Sequence, residues 1–343
     1  MTGFAAKIIA WQKRHGRHDL PWQGTRDPYA IWVAEIMLQQ TQVATVIPYY
    51  LRFLARFPDI AALAAAPLDE VLRLWSGLGY YSRARNLHRA AQAIMGEHRG
   101  QFPRNVEAVA ALPGVGRSTA AAICVFAFGR RHAILEGNVK RVLARHRGVK
   151  GYGGNKKVAD ALWQEAQRRL PRRHVEAYTQ GLMDLGATVC TRSRPQCGAC
   201  PVHRGCIAYQ RGWTGKVPAP RPRKRRPHKS TLMLALVRAG EVLLEKRPPS
   251  GIWGGMWCLP EARRRTDIEA HCLKRFSAHI IEVDELPKIA HGFTHFKLDI
   301  RPLRLRVSAL VPDVPEPGLI WLPVEEARRA AIPAPVRRIL AQL

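Results

Sequence analysis

The stretch that decides the fold of this chain is Leu112-Pro-Gly-Val-Gly-Arg-Ser-Thr-Ala120, which joins two apolar, helix-like segments. Glycine adopts tight turn conformations at the least steric cost, so Gly114 and Gly116 predict a sharp turn. Backbone N–H groups at the start of the following helix would then bind phosphate without reading base sequence. The stretch predicts a phosphate-binding hairpin between two helices; the less specific interpretation is an ordinary glycine turn.

The residues around this turn have a helical pattern from residue 1 to about 212. Apolar side chains recur at three- and four-residue intervals and are interrupted at Gly and Pro. We predict one helix over 30–45, bounded by Pro48. Further helices are predicted over 68–76, 84–98, 106–111, 118–128, 138–147, 156–170 and 175–185.

The composition changes between residues 211 and 230, which hold four prolines and eight Lys or Arg but no acidic residue. Such a segment is typical of an extended linker, whose charge either follows nucleic-acid phosphates or keeps the segment solvated. After it, short β-favouring runs at 231–237, 241–245 and 298–307 indicate an α+β domain. We therefore predict a helical domain over 1–212, a basic Pro-rich linker over 213–229 and an α+β domain over 230–343.

Cysteines fall into two groups. Four of them form a C-x6-C-x2-C-x5-C run: Cys190, Cys197, Cys200 and Cys206. An all-thiolate set this closely spaced suits a [4Fe–4S] cluster. A zinc site of four cysteines usually contains two C-x2-C pairs, and two small disulfides are a third interpretation. The scattered cysteines are predicted to be ordinary buried thiols: Cys124, Cys258 and Cys272.

The charge of the chain points to a polyanionic partner. Its 343 residues include 55 Lys and Arg against 26 Asp and Glu, a net charge of +29. That excess favours DNA or RNA as partner, although a merely solvated basic surface gives the same number. No apolar run is long enough to span a bilayer, and no secretion signal is evident at the start. We expect a cytoplasmic, nucleoid-associated monomer.

Two acidic residues and two amides are candidates for site chemistry. Glu35 is surrounded in sequence by apolar residues, which favours a neutral carboxyl suited to general acid catalysis; the alternative is a solvated helix stripe. Glu136 precedes a helix start, where a carboxylate either stabilises a cation or interacts with the helix N-terminus. Gln39 and Gln40 end the apolar segment, and amides hydrogen-bond base edges or fill the gap left by an extruded base, although they are also common surface residues.

With these residues in place, the chain resembles the MutY-type adenine DNA glycosylases of the helix-hairpin-helix superfamily along nearly its whole length. The motifs that carry the resemblance occur in the same order: Leu20-Pro-Trp22, residues 35–43, Gly77-Leu-Gly-Tyr-Tyr81, residues 112–120, Gly137-Asn-Val-Lys-Arg-Val142, the cysteine run and residues 247–255. The resemblance implies an all-α helix-hairpin-helix glycosylase domain with an iron–sulfur module, followed by an α+β Nudix-like domain. It also implies a [4Fe–4S] cofactor and removal of adenine opposite 8-oxoguanine or guanine in duplex DNA.

The resemblance implies roles for single residues. Glu35 matches the acid that protonates the departing adenine, and Asn138 matches a polar partner in the active site. Gln40 and Tyr80 match residues inserted beside the mispair. Further DNA or lesion contacts are expected from Gln39, Gly114, Gly116 and Lys140, and from Phe293, Thr294 and His295, which resemble a Phe-Ser-His loop that senses 8-oxoguanine.

Two positions bear on the type of reaction. Where the family has aspartate, this chain has Glu136, and a carboxylate displaced by about 1 Å can cost ~10²-fold in rate. A catalytically impaired lesion-binding protein is therefore one alternative. Ser118 stands where an endonuclease III-like glycosylase-lyase has its attacking lysine, and that class is the other alternative. The Nudix catalytic signature is incomplete after Glu261, so we expect the second domain to read lesions rather than hydrolyse nucleotides.

Overall fold

The computed structural model describes residues 3–222, 226–262, 265, 268–309 and 317–343. The chain divides into two compact units. One consists of Met1–Ala65 and Arg89–Arg223, and the other of Ala66–His88 and Lys224–Leu343. A segment from the first half of the sequence thus belongs to the second unit. Among the described residues, no helix combines the length and apolar character needed to cross a membrane.

Helices fill the first half of the chain. Their bounds are α1 Gly3–His15, α2 Pro28–Met37, α3 Val43–Arg56, α4 Ile60–Ala65, α5 Leu68–Trp75, α6 Ser82–Glu97, α7 Val106–Ala111, α8 Arg117–Phe128, α9 Gly137–Arg147, α10 Lys156–Arg169, α11 Val175–Asp184 and α12 Ile207–Gln210. In the first unit α1, α8, α9, α10 and α11 enclose a core that includes Ile8, Val125, Leu143, Leu162 and Leu182. The side chains of this core come from the apolar helix faces that the three- and four-residue spacing predicts.

The predicted helix over 30–45 is wrong at its end. The chain leaves helical geometry after Met37 and re-enters it at Val43, and Gln40 in between has a left-handed φ of 59°. Pro48 lies inside α3 rather than ending it. A proline removes one helical N–H and crowds the preceding turn, but here the buried side chains of Val46, Tyr50 and Phe53 hold α3 in place around it.

The described residues of the second unit form a sheet of eight strands, so the α+β prediction for the second half is confirmed. The strands are β1 His228–Arg238, β2 Glu241–Lys246, β3 Trp257–Cys258, β4 Glu261–Ala262, β5 Ala278–Glu285, β6 Ile289–Gly292, β7 Lys297–Ala309 and β8 Leu319–Pro323. The longest pairing is parallel, between β1 and β7, while β2–β8 and β6–β7 are antiparallel. Helices α13 Ile268–Phe276, α14 Val324–Arg329 and α15 Ala334–Leu340 complete the unit.

Hydrogen bonds tie the segment 66–88 to the C-terminal half within this unit. The Asp69 carboxylate on α5 pairs with Lys246 and accepts a 3.1 Å bond from Trp257 Nε1. At the end of the same helix, Ser76 Oγ donates to the carbonyl of Ile332 at 2.6 Å and accepts from Arg337 at 2.9 Å. The second unit therefore depends on residues far apart in sequence. Three cysteines are buried free thiols, as the sequence predicts: Cys124, Cys258 and Cys272.

Candidate active site

A cavity of about 1440 Å³ opens among the helices of the first unit. Its lining includes eight of the candidate residues, from positions about 100 residues apart in sequence: Glu35, Gln39, Gln40, Gly114, Gly116, Ser118, Glu136 and Asn138. Helix α2 supplies Glu35, the hairpin and α8 supply the residues around Ser118, and the start of α9 supplies Glu136 and Asn138. The fold thus collects the proposed chemistry in one place.

Glu35 is held on a helix that is nearly all buried. Asp27 caps α2 by accepting from the backbone N–H groups of Tyr29 and Ala30, and Pro28 fits the first helical position. Glu35 is the one acidic residue in this ten-residue helix. Burial, and next the negative charge of Glu136, raise the pKa of Glu35 to about 7. The carboxyl therefore carries its proton over much of the neutral range, as a general acid must.

Glu136 is the cap of α9. Its Oε2 accepts from the N–H of Asn138 and its Oε1 from the N–H of Val139, both at 2.8 Å. Burial raises the pKa of Glu136, but the two backbone hydrogen bonds oppose that rise, as do the charges of Arg141 and Lys140. Both oxygens act as acceptors, which favours the ionised form. The two acidic groups in this cavity thus differ in what holds them: Glu35 is partly buried on an otherwise apolar helix, and Glu136 is fixed to a helix N-terminus.

Asn138 is positioned by an arginine that sequence reasoning missed. Arg141 donates to Asn138 Oδ1 at 2.7 Å, and to the carbonyls of Gly186 and Cys190 at the same distance. The backbone at Gly186 approaches so closely that an added Cβ would lie 2.5 Å from Asn138 Cβ. The Asn138 side chain is therefore confined between Arg141 and the segment 185–189, which leads to the first cysteine of the run.

Ser118 has a positioning contact in the same cavity. Its hydroxyl accepts a 2.9 Å hydrogen bond from the N–H of Leu135, which fixes the segment before Glu136 against α8. A hydroxyl offers no amine for attack on a sugar carbon. Lys140 does not line the cavity, although its charge acts on Glu136.

The hairpin turn needs glycine for conformation at one position only. Gly114 has a φ of +79°, a left-handed value that favours glycine. Gly116 has an ordinary φ of −92° at the N-cap of α8, so the expectation that both positions demand glycine for the turn is wrong. An added Cβ on Gly116 would meet none of the described atoms within 4 Å. Its small size leaves the N-terminus of α8 open to close approach by a ligand.

The cysteine run is organised by Arg145, a residue that sequence reasoning also missed. This buried guanidinium donates to the carbonyls of Val217, Thr191 and Arg192 at 2.7–3.0 Å and lies 3.3 Å from the Cys190 sulfur. The signal available in sequence was a basic residue on the apolar face of α9, next to Val142 and Leu143.

The four thiols lie within electrostatic reach of one another. Burial, with Cys190, Cys206 and Cys197 as further causes, raises the pKa of Cys200 to about 11. In the described part of the chain, no three His, Cys, Asp or Glu side chains surround one metal-ion position. A cubane cluster binds each thiolate through a separate iron atom, and four thiols on one loop are the donor set it requires.

The remaining candidates lie in the second unit. The four residues after β6 form a hairpin turn to β7, which we call the 293–296 turn, closed by a 2.9 Å bond from Phe293 N to the Phe296 carbonyl. Thr294 and His295 are exposed at its tip. Tyr80, with 44% of its surface exposed and a left-handed φ of 49°, places its hydroxyl 3.4 Å from Thr294 Oγ1.

Family patterns match both halves of the chain. The pattern described as HhH-GPD superfamily base excision DNA repair protein matches residues 33–168, and that described as NUDIX domain matches residues 232–342. The fold of a thermostable thymine-DNA glycosylase matches with a TM-score of 0.54 at 30% identity, covering 61% of this chain and 95% of that one. Fold and site define a base excision DNA repair protein of the helix-hairpin-helix superfamily that carries a Nudix domain.

Full-length relatives narrow this class. The chain is 36% identical over 341 residues to the adenine DNA glycosylase of Buchnera aphidicola subsp. Baizongia pistaciae, covering 99% of this chain and 96% of the relative. It is 34% identical to the adenine DNA glycosylase of Mus musculus, covering 99% of this chain and 77% of that protein. The chain belongs to the adenine DNA glycosylase family.

Proposed function

We propose that this protein hydrolyses the N-glycosidic bond of adenine mispaired with 8-oxoguanine, or with guanine, in duplex DNA. The observation that carries the proposal is the pair of acids in one cavity: Glu35, whose pKa is raised to about 7, and Glu136, fixed at the start of α9. Two carboxylates with separate environments are what glycoside hydrolysis uses. The net charge of +29 supports a DNA substrate.

The steps of the hydrolysis follow from the different surroundings of Glu35 and Glu136. Adenine is extruded from the duplex into the cavity, because its bond to the sugar is inaccessible inside the stack. Glu35 gives its proton to the departing base, which lowers the cost of breaking the bond. Positive charge then develops on the sugar, and the Glu136 carboxylate stabilises it from a preorganised position. Glu35, now ionised, takes a proton from the attacking water, and the abasic strand stays intact.

The proposed DNA contacts lie on the cavity lining, at the hairpin before α8 and on the second unit. Gln39 and Gln40 lie on the cavity lining next to α2, where they would fill the space that the extruded adenine leaves. The Gly114–Gly116 hairpin and Lys140 would bind phosphates. In the second unit, Tyr80 would insert beside the mispair, and the 293–296 turn would contact 8-oxoguanine through Phe293, Thr294 and His295. We also propose the domain limits 1–212, 213–229 and 230–343 and a cytoplasmic, nucleoid-associated monomer.

We assign a [4Fe–4S] cluster to Cys190, Cys197, Cys200 and Cys206. When bound, the cluster cross-links the cysteine loop through four thiolates. Arg145 holds the backbone of that loop, and Arg141 joins Cys190 to Asn138 in the cavity. Protein prepared without oxygen should contain about four iron atoms per chain. Stoichiometric zinc with no iron would contradict the assignment.

One observation favours a second candidate, a lesion-binding protein with little catalysis. Both Glu136 oxygens accept hydrogen bonds from α9, and this longer side chain stands where the family's pattern has aspartate. A duplex with adenine opposite 8-oxoguanine distinguishes the candidates under single turnover. Free adenine with an intact abasic strand supports the proposed hydrolysis. A strand cleaved by the protein itself indicates a lyase, and binding without adenine release indicates the impaired protein.

A further inference from the structure

The segment Arg247-Pro-Pro-Ser-Gly-Ile-Trp-Gly-Gly255 has no role in the proposed hydrolysis of the N-glycosidic bond. It runs between β2 and β3 as an irregular loop that closes on itself. Arg247 N donates to the Met256 carbonyl at 2.9 Å, and Gly255 N lies 3.1–3.2 Å from the carbonyls of Arg247 and Pro248. The loop is therefore an ordered part of the second unit rather than a loose connection.

Trp253 adopts an unusual conformation in this loop. Its φ is 54°, a left-handed value that bulky L-residues rarely adopt, yet the side chain is only 5% exposed. Residues held in such conformations concentrate at ligand clamps, where the surrounding structure fixes them. Gly254, which follows Trp253, has no room for a side chain, because an added Cβ would lie 2.5 Å from the Pro249 carbonyl oxygen. Backbone and packing thus point the Trp253 ring in one direction.

That direction is the 293–296 turn. The Trp253 ring centroid lies 5.5 Å from Phe293 and 5.8 Å from His291. Phe293 in turn meets His291 edge-on at 4.7 Å. Burial lowers the pKa of His291, so its ring is neutral at physiological pH and packs as an aromatic. The tip residue Thr294 therefore follows a phenylalanine whose ring is held on one side by Trp253.

The other side of the same loop holds the segment that carries Tyr80. Arg85, one turn into α6, donates to the Gly254 carbonyl at 2.7 Å. A Cβ on Gly255 would lie 3.6 Å from Leu72 on α5, which shows how closely the loop packs on this segment. One loop thus contacts both Phe293, the neighbour of Thr294, and the segment that carries Tyr80. The hydroxyls of Tyr80 and Thr294 lie 3.4 Å apart.

We propose that Trp253 is a positioning residue for lesion discrimination: it sets the 293–296 turn relative to Tyr80, so that the protein distinguishes 8-oxoguanine from guanine opposite adenine. In this role Trp253 acts through the Phe293 ring, whose centroid lies 5.5 Å from its own. This inference rests on the proposed function, since it concerns which partner base the turn recognises.

The test is single-turnover adenine excision opposite 8-oxoguanine and opposite guanine, measured for the parent, Trp253→Leu, Trp253→Phe and Trp321→Leu. Trp321 on β8 packs against the sheet core and lies 4.2 Å from Arg238, so it is a matched tryptophan away from the turn. We expect Trp253→Leu to lower the ratio of the two rates about tenfold, a fraction of the ~10² that a 1 Å misplacement can cost. Trp253→Phe should restore most of the ratio, and Trp321→Leu should leave it unchanged.

A double-mutant cycle excludes a merely structural effect. If Trp253 acts through the turn, then Trp253→Leu should have no further effect on the ratio in a Thr294→Ala background. An unchanged ratio in Trp253→Leu, an equal loss in Trp321→Leu, or full additivity with Thr294→Ala would each overturn the inference. A parent protein that releases adenine without preferring 8-oxoguanine would instead overturn the proposed lesion preference, and this inference with it.

Discussion

The cavity of the first unit and the 293–296 turn of the second unit differ in the burial and in the chemical type of their polar side chains. The cavity holds two partly buried carboxyl groups, and burial raises the pKa of both. The turn presents an exposed threonine hydroxyl and an exposed histidine on a base of packed aromatic rings. Partly buried acids with raised pKa values are suited to transfer protons to and from a substrate. An exposed hydroxyl held on packed aromatic rings is suited to hydrogen-bond a base. These differences support the proposal that the cavity cleaves the bond and the turn selects the mispair.

The largest expected effect comes from Glu35→Gln. The amide keeps the shape of the side chain but has no proton to give, so excision should fall by ~10²–10⁴, the usual worth of a positioned acid. DNA affinity should change little, as a binding assay on the same duplex will show. Glu97→Gln, at the exposed end of α6, is the matched control. Near-normal excision by Glu35→Gln would remove the cavity from the chemistry.

Glu136 tests the second carboxylate. Asparagine is a good helix cap, so Glu136→Asn should preserve the start of α9 while removing the charge, and excision should fall by roughly 10²–10³. Aspartate keeps both cap and charge with a shorter side chain, and we expect Glu136→Asp to raise the single-turnover rate several-fold. If the asparagine variant remains active, another group faces the sugar cation. If the aspartate variant is no faster, the backbone has accommodated glutamate.

The raised pKa of Glu35 also predicts a pH dependence of stability. The folded state binds a proton that the unfolded state has lost between about pH 4.5 and 7. The free energy of unfolding should therefore fall as pH rises through that window. Glu35→Gln lacks this loss, so it should be more stable than the parent at pH 8 by on the order of 1–3 kcal/mol, and equally stable at pH 4. Urea unfolding at both pH values measures the difference; an identical stability gap at pH 4 and pH 8 would contradict it.

Thr294→Ala should give a smaller effect, confined to discrimination. Loss of the hydroxyl should reduce the preference for 8-oxoguanine over guanine about tenfold, the worth of one hydrogen bond of roughly 1.4 kcal/mol. Thr294→Ser keeps the hydroxyl and is the control. This substitution is cleaner than deleting the C-terminal half, because a deletion would strip Asp69 and Ser76 of their partners Lys246, Trp257 and Arg337. A preference that survives Thr294→Ala would show that the turn does not read the lesion through this residue.

Sequence reasoning succeeded where the signal was local. The fold class and most helices followed from apolar spacing, and several helices begin and end within two residues of the prediction, such as Val106–Ala111 and Gly137–Arg147. The predicted runs match β1, β2 and β7, whereas the short strands β3, β4 and β6 and the longer strands β5 Ala278–Glu285 and β8 Leu319–Pro323 were missed. Most side chains of β5 are exposed, so the strand lacks the alternation that marks a half-buried strand.

What sequence could not supply depends on contacts between distant residues. Arg141 and Arg145 look like ordinary basic residues of a helix, and their partners lie about 45 residues away. Likewise, residues 66–88 read as one more part of the helical half, but Asp69 and Ser76 bond to the C-terminal half. Glu136 was expected either to face a cation or to meet a helix N-terminus; the structure places it at the helix N-terminus and on the cavity lining.

The most direct test of the division between cavity and turn is the pH dependence of single-turnover excision, measured on both mispairs from pH 7 to 9. If Glu35 is the acid for both mispairs, both excision rates should fall above about pH 7 along the same curve. The ratio of the two rates should then stay constant. Thr294→Ala should lower the ratio without moving the curve. A ratio that changes with pH, or rates that do not fall as the pH rises, would contradict the assignment of cleavage to the cavity and of discrimination to the turn.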